Sequence, residues 1–177
     1  MTAHNTRKPR FIEMNQLVSF LVKDETLPYF EIGIFAPVHS ENIGTLWRSA
    51  YQLGAAGIFI IGRNVRGQSS DTAKTRQQIP LRQYETWENF LAHRPLGARI
   101  VAVEFGGEPL AGFNHPQEAV YLLGSEANGL PAYIIEQCDH LVSIEAVRYL
   151  SYNVAVSGSL VLYHRQFIQA QPNTKSR

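Results

Sequence analysis

The chain has 177 residues, 16 basic and 15 acidic side chains, a net charge of +1 at neutral pH, and 45% hydrophobic residues. That balance suits one globular domain with a sizeable core and excludes a protein that coats nucleic acid by charge alone. No long uninterrupted apolar run occurs, so no membrane span is expected; with Cys138 as the single cysteine no internal disulfide can form, and a reduced, cytoplasmic setting is the expectation.

Residues 1–10 are polar and basic without periodicity or a secretory signal, and read as a loose extension. Phe11, Ile12, Leu17, Val18, Leu21 and Val22 follow at a spacing that fits a short helix. Residues 1–29 thus form an N-terminal extension too short for a separate RNA-binding domain. Residues 30–38, FEIGIFAPV, predict the first buried strand. Ser40 or Asn42 is placed to cap a helix over residues 43–53, which stops at Gly54. Residues 57–62, GIFIIG, read as a second strand bounded by glycines.

Residues 63–82 carry Arg63, Arg66, Lys74, Arg76 and Arg82 against one acid, Asp71, in a stretch whose loop portion lacks a hydrophobic period. That pattern fits either a solvated loop or a patch that tracks phosphates. Residues 84–93 predict an amphipathic helix with Trp87, Phe90 and Leu91 inward, and residues 98–105, ARIVAVEF, a buried strand ending at Gly106-Gly107. A strand over residues 120–123 leads into Gly124-Ser125-Glu126, and Leu130-Pro131 opens a helix in which Cys138 is a packed residue. A strand over residues 140–145 precedes the polar break Ser151-Tyr152-Asn153. The helix that follows, to about residue 169, is apolar on more than one face and is a candidate interface; the tail from residue 171 is polar. Strands alternating with helices argue an α/β fold, a mostly parallel sheet with helices on both faces, which binds ligands at its strand ends.

Three segments carry a resemblance. Residues 124–130, GSEANGL, resemble the second signature motif of the SpoU family of RNA 2′-O-ribose methyltransferases, within the SPOUT superfamily. Residues 151–157, SYNVAVS, resemble the third, and residues 42–50, NIGTLWRSA, are similar to the first. Order and spacing agree over residues 32–165. The resemblance implies a methyltransferase domain over residues 30–170 with a C-terminal trefoil knot, a flexible tail over residues 171–177, and a homodimer with its site near the subunit boundary. It also implies S-adenosylmethionine as methyl donor and RNA as acceptor, and the missing RNA-binding domain favours tRNA over rRNA.

The resemblance places Arg48 near the ribose 2′-hydroxyl. A guanidinium resists deprotonation, so stabilising the incipient alkoxide or clamping a phosphate suits it better than acting as base. On helix pattern alone, Arg48 would read as a solvent-facing arginine. Asn42 and Glu126 are similar to residues that shape the acceptor pocket; Asn153 takes a substrate-orienting role and Ser151 a place between donor and acceptor. Contacts to the cofactor are implied, largely through backbone, at Glu104, Leu123, Gly124, Gly129, Ile144, Ser151 and Tyr152. Arg63, Arg66, Lys74 and Arg76 are the expected RNA contacts. No metal is needed, and the six histidines show no ligand spacing.

Two departures stand out. Ile144-Glu145-Ala146 replaces the usual Ile-Pro-Met, which loosens that loop and puts a charge near the expected adenine pocket; Tyr152 replaces leucine. The rival reading is therefore a methyltransferase-like fold with little or no turnover, serving as an RNA-binding or ribosome-assembly factor. Residues 124–129 lack the Lys-Ser/Thr of a P-loop, and no G-x-G-x-x-G follows a strand.

Overall fold

The computed structural model describes residues 28–62, 78–148 and 151–169. The helix expected over residues 11–22, the tail, and Arg63, Arg66, Lys74 and Arg76 lie outside the described residues. Six strands form one sheet: β1 (Phe30–Phe35), β2 (Gly57–Ile61), β3 (Leu81–Tyr84), β4 (Arg99–Pro109), β5 (Ala119–Leu123) and β6 (His140–Ser143). Their spatial order is β3-β2-β1-β5-β4-β6, and every neighbouring pair is parallel.

The period of two along each strand explains why both faces are buried. Ile32, Ile34, Ile58, Ile60, Val101, Tyr121 and Leu123 face one core, together with helices α1 (Ser40–Gln52) and α4 (Val154–Tyr163). Phe59, Ile61, Ile100, Ala102, Val120 and Leu122 face the other, with α2 (Trp87–His93) and the single turn α3 (Ala132–Ile135). Helices on both faces are as the sequence implied.

Boundaries moved where polar residues had competing tasks. β3 was not foreseen, because Arg82 and Gln83 interrupt its apolar pattern and it is a sheet edge with one partner. Arg82 reaches past β2 to the buried carboxylate of Glu31, over Gly57, where a Cβ would stand 3.1 Å from its Nη1. α2 consequently starts later than expected, at Trp87, with Thr86 Oγ1 accepting from the Asn89 N–H at 3.1 Å. α1 starts earlier, at Ser40, without a side-chain cap. Cys138 lies past α3 rather than within a helix; it is half-buried, donates to the Ile134 carbonyl at 3.2 Å, and burial with the neighbouring Asp139 charge pushes its thiol up to about 12.

α4 fixes the site by lying close on α1 and the sheet. A Cβ at Gly158 would stand 2.4 Å from Leu46 Cδ1 and 3.0 Å from the Cδ1 atoms of Ile32 and Leu123. Gly158→Val is expected to cost about 1–3 kcal/mol through overpacking, read as a lower urea midpoint. An unchanged midpoint would show that the α1–α4 seam yields freely. Beyond α4 a π turn, His164–Ile168, turns Arg165 inward. There the guanidinium donates to the carbonyls of Pro116 (2.6 Å) and Gln117 (2.7 Å) and to Tyr121 Oη (2.9 Å), pinning the helix end beneath β5.

Candidate functional site

The carboxyl ends of β4, β5 and β6 open into a cavity of about 910 Å³, bordered by the first turns of α1 and α4. Its volume suits a nucleoside-sized ligand. Glu104, Leu123, Gly124, Gly129, Ile144, Ser151 and Tyr152 all line it, as do Asn42, Glu126 and Asn153. Ten residues singled out from five stretches of the chain therefore converge on one space.

The loop after β5 is closed on itself. Ser125 and Gly129 exchange backbone hydrogen bonds at 3.0 and 3.2 Å, and the Asn128 N–H donates to Ser125 Oγ at 3.2 Å. A Cβ at Gly124 would lie 2.3 Å from the Gly129 carbonyl carbon and 2.5 Å from Leu130 N, so only glycine fits there. Gly129 adopts φ +64°, in the left-handed region, and a Cβ there would meet Glu104 Oε2 at 2.4 Å. That same oxygen accepts from the Leu130 N–H at 3.0 Å, so β4 holds the loop in place.

A directional hydrogen-bond relay ties the three motif segments together. Glu126 Oε1 accepts from Asn42 Nδ2 at 2.6 Å, while its carboxylate also takes the backbone N–H groups of Val38 (2.9 Å) and His39 (3.3 Å). Asn42 Oδ1 accepts from Asn153 Nδ2 at 2.9 Å. Asn153 Oδ1 in turn caps α4, accepting from Ala155 N at 2.9 Å and Val156 N at 3.4 Å. The Asn42 side chain is thus committed to this relay, and with α1 beginning at Ser40 it lies within the helix rather than at its cap.

Burial acts to raise the Glu126 pKa, but the Asn42 amide and the N–H groups of Val38, Glu126 and His39 outweigh it and hold the carboxyl below its ordinary value. Because the folded value lies below the unfolded one, the contribution of Glu126 to stability is full at neutral pH. It is lost as pH falls below about 4.3, through the depressed folded value. Asn42→Ala removes the middle of the relay and is expected to destabilise the protein by about 1–2 kcal/mol. It should also shrink the acid loss, because the folded Glu126 value moves back toward the unfolded one, whereas Glu126→Gln removes that loss. Urea melts from pH 7 downward, with Asn153→Ala completing a double-mutant cycle, read the coupling. Strict additivity of Asn42→Ala and Asn153→Ala would mean that the relay is not a unit.

Three placements differ from the sequence reading. Glu145 is not in the cavity lining; its carboxylate accepts from the Ala111 N–H at 3.0 Å, and its carbonyl accepts from Tyr152 Oη at 3.1 Å. The expected charge near the pocket is therefore turned away, and Tyr152 braces the loop that lacks proline. Arg48 lies exposed on α1, outside the cavity lining. It is six residues beyond Asn42, about 9 Å along the helix and about 240° around it. His39, Phe105 and Arg148 also line the cavity and were missed. The doubled glycine after Phe105 was their one visible signal.

Among the described residues no group of three or more His, Cys, Asp or Glu side chains is placed to hold a metal, and no helix is long and apolar enough to cross a membrane.

A parallel sheet with a glycine-framed, nucleoside-sized cavity at its strand ends defines an α/β ligand-binding protein of the doubly wound kind. A model of the SpoU rRNA Methylase family matches residues 30–163, and the chain belongs to that family. It is 29% identical over 132 residues to an uncharacterized tRNA/rRNA methyltransferase of Archaeoglobus fulgidus, covering 71% of this chain and 59% of that protein. It is 30% identical over 132 residues to the mouse tRNA (guanosine(18)-2′-O)-methyltransferase TARBP1, covering 69% of this chain and 8% of that protein. Among solved structures it resembles an AdoMet-bound rRNA methyltransferase from Sinorhizobium meliloti, with TM-score 0.68 and 24% identity over 80% of this chain and 58% of that one. That likeness is one of fold. The chain spans less than two thirds of the length of these relatives.

Proposed function

We propose that this protein is an S-adenosylmethionine-dependent RNA methyltransferase that modifies a ribose 2′-hydroxyl, with residues 30–170 as the catalytic unit. The observation that carries the reading is the convergence of Asn42, Glu126 and Asn153, one from each motif, in one relay beside a cavity framed by Gly124 and Gly129. The cavity fits the cofactor: Gly124 and Gly129 line it without side chains, and Val103, Leu123 and Ile144 supply apolar walls. When bound, S-adenosylmethionine would supply the methyl group for the ribose oxygen, with S-adenosylhomocysteine and a proton as the other products.

The residues of the chain position rather than react. Glu126, already accepting three hydrogen bonds and held acidic, is a poor proton acceptor and instead fixes the start of α1. Asn153 and Ser151 line the cavity at the N-terminus of α4, where the helix dipole favours a developing alkoxide. Arg48 is assigned to the sugar oxygen or its phosphate across the interface of a homodimer. Val156, Leu160 and Tyr163, at helical spacing on α4, are 37–52% exposed and support that interface. A C-terminal trefoil knot belongs to this reading through membership of the SpoU family. A cytoplasmic setting and a preference for tRNA complete the reading, with Arg63, Arg66, Lys74 and Arg76 as further RNA contacts.

Calorimetry with S-adenosylmethionine, followed by methyl transfer to total tRNA and rRNA with nucleoside mass spectrometry, tests this reading. A ribose-methylated nucleoside is the expected product. A base-methylated one, or no cofactor heat at millimolar concentration, would refute it.

A further inference from the structure

Between Val103 and Glu108 the β4–β6 ladder changes register: both residues pair with Val142, and residues 104–107 are spliced out of the ladder. This break is tightly built. Ser143 Oγ donates to the Glu104 carbonyl and accepts from the Gly107 N–H, both at 2.7 Å, so one hydroxyl stitches its two ends. Gly106 sits at φ +84°, and a Cβ at Gly107 would meet the Leu141 carbonyl at 2.5 Å. Irregularities of this kind re-aim a side chain next to a site. The side chain displayed here is Phe105, 56% exposed on the lining of the cavity. Arg148, from the loop after β6, is exposed on the same lining and is its only Arg or Lys among the described residues.

We propose that Phe105 and Arg148 form a stacking site for an unpaired nucleobase of the RNA, so that the protein takes single-stranded or loop nucleotides rather than paired ones. The inference rests on the RNA-methyltransferase reading and names its substrate class. An aromatic ring and a guanidinium on one lining are the two groups that hold single-stranded nucleic acid, the ring by stacking on a base and the cation by its charge. The cation has a further task here, because Glu104 and Glu126 on the same lining would otherwise repel a polyanion. The adenine of the cofactor is the other nucleobase available. It is better served by the enclosed walls of Val103 and Leu123, 8% and 1% exposed, than by a ring at the open rim. A base stacked in an A-form helix has both faces covered and is closed to Phe105.

Fluorescence anisotropy with a short labelled oligouridylate and a blunt RNA duplex of equal length tests this on the intact protein, alongside calorimetry with S-adenosylmethionine. Phe105→Ala should weaken oligouridylate binding about fivefold or more, with duplex affinity and cofactor binding unchanged. Phe105→Trp should keep the affinity, and Arg148→Ala should weaken it and reduce the salt slope by about one. If Phe105→Ala lost cofactor binding but kept oligouridylate affinity, the ring would belong to the cofactor and the proposal would fall. It would also fall if neither ligand noticed the change, or if the wild type preferred the duplex. Failure of the methyltransferase reading is seen separately, as a wild type that neither binds cofactor nor transfers methyl.

Discussion

Arg48→Ala is expected to lower methyl transfer by about 10²–10³-fold, the size found when a group stabilising a developing oxyanion is removed. Cofactor binding should be retained, since Arg48 lies outside the cavity lining. The more discriminating result comes from mixing subunits. Arg48 is exposed on α1, around the helix from Asn42, so the proposed dimer supplies it to the cavity of a second copy. Co-refolding Arg48→Ala with a cavity-defective variant such as Gly124→Ala places one intact cavity and one intact Arg48 in each hybrid. With random pairing, hybrids are about half of the dimers and carry one working site each, giving about a quarter of wild-type activity in a two-fold symmetric assembly. Absence of rescue would mean that Arg48 acts within its own chain or not at all. Full activity of Arg48→Ala alone would remove it from the mechanism.

Gly124→Ala should lose cofactor binding and, with it, about 10²-fold or more of transfer, the scale of an ångström-sized displacement at a reacting centre. The added methyl would lie 2.3 Å from the Gly129 carbonyl carbon and 2.5 Å from Leu130 N. Both obstacles are backbone and cannot rotate aside. The loop must therefore open, breaking the Ser125–Gly129 pair and the Leu130 N–H bond to Glu104. The damage should stay local, because β5 remains paired with β1 and β4. A calorimetric titration with S-adenosylmethionine, beside a thermal melt, separates a lost cradle from a lost fold. Wild-type cofactor affinity in Gly124→Ala would mean that a second loop conformation exists and that close backbone approach is not what holds the ligand.

The lost proline of the loop after β6 shows how a sequence difference can mislead. Read as a string, Glu145 brings a charge toward the adenine pocket and weakens the case for cofactor binding. In the fold, the Ala111 N–H holds that carboxylate outside the cavity and Tyr152 Oη takes the Glu145 carbonyl. Both departures from the family pattern thus serve the same brace. Their partners lie seven or more residues away, and 34 residues away for Ala111, beyond any local reading.

What the sequence determined by itself was the layered architecture and ten of the residues that line the cavity. Apolar alternation in β1, β2, β4 and β5 requires a sheet buried on both faces, and the glycines at 124 and 129 mark where backbone must come close. Tertiary structure alone decided the edge strand β3, the splice in β4 that displays Phe105 on the cavity lining, and the relay in which the Asn42 side chain serves Glu126 and Asn153. The reason is common to all three: local pattern reports which surfaces must leave water, whereas a polar side chain or an unpaired ladder position takes its partner from whatever the fold carries past it.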